Sequence, residues 1–139
     1  MSVVLNPYLS FVDNAAEALE FYKSVFGGEV TISHFGDFPG MPADDETKKL
    51  VMHSVLKTDD LQLMISDSKP MGGVKQNGEN VQLSLSGDDD AKLTKFFEGL
   101  SAGGVVRDEL SVKPWGDKFG MLTDKFGIHW LVNIGKPQA

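Results

Sequence analysis

The chain has 139 residues, 41% of them hydrophobic and 24% charged, a length that fits one domain and can bury an ordinary core without covalent staples. It has no cysteine, which excludes a disulfide scaffold, a thiolate nucleophile and any Cys-ligated zinc or iron–sulfur centre. Thirteen basic against twenty acidic side chains leave a net charge of −7, which repels nucleic-acid phosphates and anionic membrane surfaces. Met1–Leu5 lacks the charged start of a secretory signal, and no apolar run approaches the ~20 residues of a membrane helix. A cytoplasmic protein that uses neither nucleic acid nor membrane as partner is the expectation.

The elements then follow in order. Pro7 to Val12 alternates and carries strand-prone bulk in Tyr8, Leu9 and Phe11. Asn14 followed by Glu17 has the spacing of a capping box, and Ala15, Ala18, Tyr22 and Val25 recur at helical spacing until Gly27-Gly28 stops the helix. Glu29 to Phe35 reads as a strand, Gly36 to Thr47 as a loop, and Lys49 to Lys57 and Leu61 to Asp67 as a hairpin turned at Thr58-Asp59-Asp60. The first module, about residues 6–67, is thus βαβββ, and a connection without hydrophobic periodicity spans about 68–80.

The order restarts over about 81–134. Val81 to Ser86 is a strand, and the acids Asp88 to Asp90 favour a helix N-terminus. Leu93, Phe96, Phe97 and Leu100 form an apolar face, and Gly103-Gly104 closes the helix. Val105 to Leu110, Phe119 to Thr123 and Ile128 to Ile134 complete a second βαβββ unit. An offset of 76 lays Gly27-Gly28 on Gly103-Gly104, Phe21 on Phe97 and Asp13 on Asp89. The expected fold is α+β: two βαβββ modules whose sheets each carry a helix on one face and curl as half-barrels around a shared cleft.

Particular words carry a family resemblance. They are Pro7-Tyr8-Leu9-Ser10-Phe11, Ala18-Leu19-Glu20-Phe21-Tyr22 with Phe26-Gly27-Gly28-Glu29, then His53, Ile65-Ser66-Asp67, and Asp124-Lys125-Phe126-Gly127 with Trp130 and Asn133. Together, across roughly Asn6 to Ile134, they resemble the PhnB-like branch, labelled demethylubiquinone-methyltransferase-like, of the vicinal oxygen chelate superfamily of glyoxalases, bleomycin-resistance proteins and dioxygenases. The resemblance implies a small molecule bound in the cleft and a homodimer. It also implies where metal-dependent relatives hold their ion, on the first, fourth, fifth and eighth strands. Those positions fall near Pro7, Met64, Val81 or Leu83, and Leu131, none of which supplies the imidazole or carboxylate donors that zinc, nickel or iron requires. No metal and no other cofactor is therefore expected; the alternative is a lyase or dioxygenase using a divalent ion. Methyl transfer lacks a strand–Gly-rich loop–helix fingerprint.

Among chemistry-bearing residues, His53 in Val51-Met52-His53-Ser54-Val55 is the catalytic candidate, as general base or ligand donor; the other reading is a structurally hydrogen-bonded histidine. His129 shares a face with Leu131 and Asn133, opposite Trp130, and is expected to line the cleft. Asp67 either orients His53 or bonds nearby turn amides. Trp115 walls the cleft, meets a partner subunit, or plugs the core end. With Tyr8 and Met64 these residues make up the expected ligand site. No Gly-x-Ser-x-Gly nucleophile elbow and no phosphate loop is present.

Overall fold

The computed structural model describes residues 3–40, 44–72 and 80–136. The chain divides into two compact units, Met1–Lys75 and Gln76–Ala139. In the first, β1 (Tyr8–Phe11), α1 (Ala15–Phe26), β2 (Glu29–His34), β3 (Val51–Lys57) and β4 (Gln62–Asp67) form a sheet of order β1-β4-β3-β2. β1 lies parallel to β4, and the other pairs are antiparallel. α1 carries the chain from β1 to β2 at the opposite edge of the sheet; the two strands run in the same direction, so a hairpin could not join them.

Strand alternation decides which side chains face the helix. Leu9 and Phe11, Leu63 and Ile65, and Leu56 are buried together with Ala15, Ala18, Leu19, Tyr22 and Phe26 of α1. Ser54 shares that face because its hydroxyl donates to the Ile65 carbonyl at 2.6 Å, so burial leaves no orphaned donor. The opposite, open face of the sheet carries Tyr8 and Ser10, Met64 and Ser66, and His53 and Val55.

The second unit repeats the plan with β5 (Leu83–Gly87), α3 (Asp90–Ser101), β6 (Val105–Val112), β7 (Lys118–Thr123) and β8 (His129–Ile134), in the order β5-β8-β7-β6. Here Leu93, Phe96, Phe97 and Leu100 of α3 are buried with Leu122, Trp130, Val132 and Ile134, each worth roughly 1.5–3 kcal/mol of transfer energy. Gly120 leaves room for Phe97, whose ring would stand 2.7 Å from any Cβ there.

The offset of 76 now has a physical meaning. It superposes the starts of β2 and β6, Glu29 on Val105, and lays Phe11 on Gly87 at the ends of β1 and β5. From β4 to β8 the offset becomes 67, because the β2–β3 connection is longer than the β6–β7 turn. A Cβ on Gly28 would collide with the Lys57 carbonyl oxygen, and one on Gly104 with the Thr123 carbonyl oxygen. The second glycine of each pair is thus dictated by the same close approach of backbone to backbone, where glycine alone fits. The hairpins that follow also correspond. Thr58 Oγ1 accepts from the Asp60 and Leu61 amides, as Asp124 Oδ1 accepts from the Phe126 and Ile128 amides.

Three local expectations change. Asn14 occupies the N-cap of α1 but makes no side-chain capping bond; the helix start is tied down through the amide of Ala15, which donates to Asp67 at 2.8 Å, a residue 52 positions away. The expected loop from Gly36 to Thr47 contains a 3-10 turn at Phe35–Asp37 and the start of the four-residue helix α2 (Asp45–Lys48), whose Asp44 cap accepts from the Thr47 amide at 2.7 Å. The fifth strand begins at Leu83, not Val81. Most of the expected connection at 68–80 lies outside the described residues.

Candidate functional site

On the open face of the first sheet, Tyr8 at the start of β1 reaches across β4 to β3, and its hydroxyl lies 2.9 Å from His53 Nδ1. The rings are tilted by 34° with centroids 5.6 Å apart. His53 Nε2 is left without a partner among the described residues. Tyr8 is 48% exposed, so this is an open polar pair on a sheet face and not a core feature. Met64 stands between the two strands, opposite Tyr8 on one side and Val55 on the other. A phenol bonded to an imidazole, next to a flexible thioether, can orient a small molecule, exchange a proton with it and adapt to its shape.

Asp67 takes no part in that face. It is 3% exposed, and its two oxygens accept from the Ala15 amide at 2.8 Å and the Val51 amide at 2.9 Å. Burial raises its carboxyl above the ordinary value; the two amides pull it down, and the charge of Asp13 adds to the rise. One side chain therefore ties the start of α1, the start of β3 and the end of β4 together.

The second sheet has its own hydroxyl–imidazole pair. His129 Nδ1 lies 2.8 Å from Thr123 Oγ1, its register partner on β7. Leu131 and Asn133 share that open face, and Trp130 is buried against the other. The Asn133 amide donates to Asp117 Oδ2 at 3.1 Å. Trp115 is 63% exposed and packs edge-on against Phe119 at 5.9 Å, and Phe119 is the register partner of Asn133. The structure thus draws Tyr8, His53 and Met64 together in one unit, and His129, Asn133 and Trp115 along the sheet of the other.

Three participants escaped the sequence reading. Thr123 was legible, because the Asp124 turn fixes the hairpin register that sets it opposite His129. Asp117 gave no signal. Gln82, whose Oε1 is buried without a partner among the described residues, shows itself through the repeat. The offsets map Asn6 onto Gln82 and Gln62 onto His129, and in the first unit Gln62 donates to Asn6 at 3.1 Å.

The metal positions implied by the resemblance carry few donors. Met64 and Leu131 do occupy the open faces, but Pro7 precedes β1. Leu83 pairs with buried Trp130 on the helix side, so Ser84, beside Leu131, holds the open-face place on β5. Tyr8, Met64, Ser84 and Leu131 do not form a donor set for a hard divalent ion. Among the described residues no three His, Asp or Glu side chains converge.

Tandem βαβββ units, each with its helix on one sheet face and a hydroxyl–imidazole pair on the other, define a duplicated α+β protein. Residues 4–132 match the Glyoxalase/Bleomycin resistance protein/Dioxygenase superfamily, and the chain belongs to it. It is 28% identical to Protein YjdN of Escherichia coli (strain K12) over 144 residues, covering 96% of this chain and 97% of that one. The crystal structure of protein PA1353 from Pseudomonas aeruginosa is 36% identical with a TM-score of 0.82, covering 98% of this chain and 100% of the other. The PhnB protein from Bacillus cereus shares the fold at 24% identity and a TM-score of 0.72, covering 96% and 100%. No helix among the described residues is long and apolar enough to cross a membrane.

Proposed function

We propose that this chain is a PhnB-like member of the superfamily that binds a small molecule on the open faces of its sheets, without the superfamily's metal, and acts as a cytoplasmic homodimer. The observation that carries the reading is the Tyr8–His53 pair, which sets a polar contact beside Met64, where a metal-dependent relative would need an imidazole or carboxylate. The ligand is then partly apolar, packed on Met64 and Val55 and oriented by one or two hydrogen bonds, as in most small-molecule sites. His129, Asn133 and Trp115 offer the second sheet's contacts of the same kind.

A second reading rests on the unpartnered His53 Nε2: a metal-free enzyme in which that nitrogen takes a proton from bound substrate while Tyr8 holds the ring. Calorimetry of the purified protein with nickel, zinc and iron(II), alongside elemental analysis, tests the metal-free claim; stoichiometric tight binding lost in His53→Ala and His129→Ala would overturn it. A ligand found by screening should lose about tenfold in affinity in His53→Gln, the usual worth of one good hydrogen bond to a ligand. Turnover that vanishes in His53→Gln with binding retained selects the enzyme.

A further inference from the structure

The sheet registers make the units comparable residue by residue at the amino ends of their parallel pairs. Tyr8 stands opposite Met64 in the first pair, and Ser84 opposite Leu131 in the second. Two residues before these, and on the same face by strand alternation, come Asn6 and Gln62 in one unit and Gln82 and His129 in the other. In the first unit this place is closed: Gln62 Nε2 donates to Asn6 Oδ1 at 3.1 Å, so donor and acceptor serve each other. In the second it stays open. His129 turns Nδ1 to Thr123 Oγ1 at 2.8 Å, toward β7 and away from β5. Gln82 Oε1 is buried without a hydrogen-bond partner, and among the described residues no other buried side-chain nitrogen or oxygen is left so. A buried carbonyl that bonds nothing is costly, and the scaffold had a self-satisfying pair available at the same place.

We propose that this corner binds a compound whose edge carries an N–H beside a C=O, the edge of a lactam or an unsubstituted amide. The inference rests on the reading of the open faces as a ligand surface and names what the second sheet selects. Gln82 Oε1 accepts the ligand's N–H. The neighbouring imidazole, held at Nδ1 by the Thr123 hydroxyl, donates Nε2–H to the ligand's carbonyl oxygen. In the first unit the corresponding groups are spent on each other. The surface next to the pair is apolar: Leu131 follows His129 by two residues on β8, and Met121 is its register partner on β7. These two side chains receive the hydrocarbon body of the ligand, the thioether adapting to its outline. Neither Tyr8 nor His53 takes part.

The test is a nuclear magnetic resonance titration of the intact protein with 2-quinolone, a bicyclic lactam, against N-methyl-2-quinolone, which keeps ring and carbonyl but loses the N–H. Saturable shifts are expected for 2-quinolone at the Gln82 side-chain amide and the His129 and Leu131 backbone amides. Methylation should weaken binding about tenfold, the worth of one good hydrogen bond. Gln82→Met keeps the length and removes the carbonyl, so it should abolish that discrimination, whereas His53→Gln should leave it unchanged. Long-range nitrogen–proton correlations should find the bound His129 ring protonated at Nε2. In the free protein Gln82→Met should not lower the urea midpoint, because it removes no bond. No saturable binding of 2-quinolone, equal affinity for its methylated form, or discrimination retained in Gln82→Met would overturn the proposal. So would a bound ring protonated at Nδ1 alone, or a lowered midpoint, which would mean that Oε1 already holds a partner. The Tyr8–His53 reading is tested through its own ligand and His53→Gln, so either can fail alone.

Discussion

The two units place unlike residues on a like frame, and the unlikeness is confined to certain positions. Where the first has Phe11, Asp67 and Ser68 at the carboxyl ends of its parallel pair, the second has Gly87, Ile134 and Gly135. Where backbone must come close to backbone, they agree: Gly28 meets the Lys57 carbonyl, and Gly104 meets that of Thr123. Backbone collisions admit one solution, so those positions stay matched. Strand ends and open faces admit many, so there the copies differ, one with a buried carboxylate at the end of its parallel pair and the other with an isoleucine.

The largest effects should come from breaking what the units share. Gly28→Ala and Gly104→Ala each drive a methyl into a carbonyl oxygen, an overpacking cost of about 1–3 kcal/mol or more. Gly28 also has φ of +90°, which adds about 1 kcal/mol for any residue with a Cβ, whereas Gly104 lacks a positive φ. Urea unfolding should therefore rank Gly28→Ala below Gly104→Ala, and both below Gly27→Ala, whose Cβ would meet nothing within 4 Å. A neutral Gly104→Ala would show that the second unit does not obey the constraint of the first.

Asp67 against Ile134 sharpens the comparison at intermediate size. Asp67→Asn can accept only one of the two amides at full strength and turns an N–H toward the other, at a cost of roughly 1–3 kcal/mol. The pH dependence has a definite sign. Burial, first among the causes, sets the folded carboxyl above its ordinary value, so the folded chain binds that proton more tightly than the unfolded chain. The contribution is full below the ordinary carboxylate range and is lost as pH rises through the folded value. The stability gap between wild type and Asp67→Asn should narrow from acidic to neutral pH. A gap that widened instead would mean that the two amide bonds outweigh burial.

The frame was legible because its causes are local. Period-two alternation gave the strand faces, including Trp130 against His129, Leu131 and Asn133, and the double glycines gave both helix ends. What could not be read depended on distant partners. Asn14 has the type and spacing of a capping residue, yet its side chain makes no cap, and the first amide of the helix is held by Asp67, 52 residues away in the chain. The four residues of α2 are too few to show a helical period. The Tyr8–His53 contact needs β4 to lie between β1 and β3, and only the assembled sheet order reveals that.

The smallest effects concern the two imidazoles, and they bear most on function. Tyr8→Phe and Thr123→Val each delete the hydroxyl facing a histidine Nδ1, and each should cost about 1 kcal/mol of stability or less. The informative reading is the tautomer of each ring, followed by long-range nitrogen–proton correlations. Thr123 and His129 are half-buried, so water replaces the lost hydroxyl poorly and the tautomer ratio of His129 should move clearly in Thr123→Val. Tyr8 is exposed, so water can take its place, and His53 should change less in Tyr8→Phe. If His53 moves more than His129, the first pair is held more firmly than its exposure implies. The phenol would then be a positioning group for His53, and the acid–base reading would gain on simple binding.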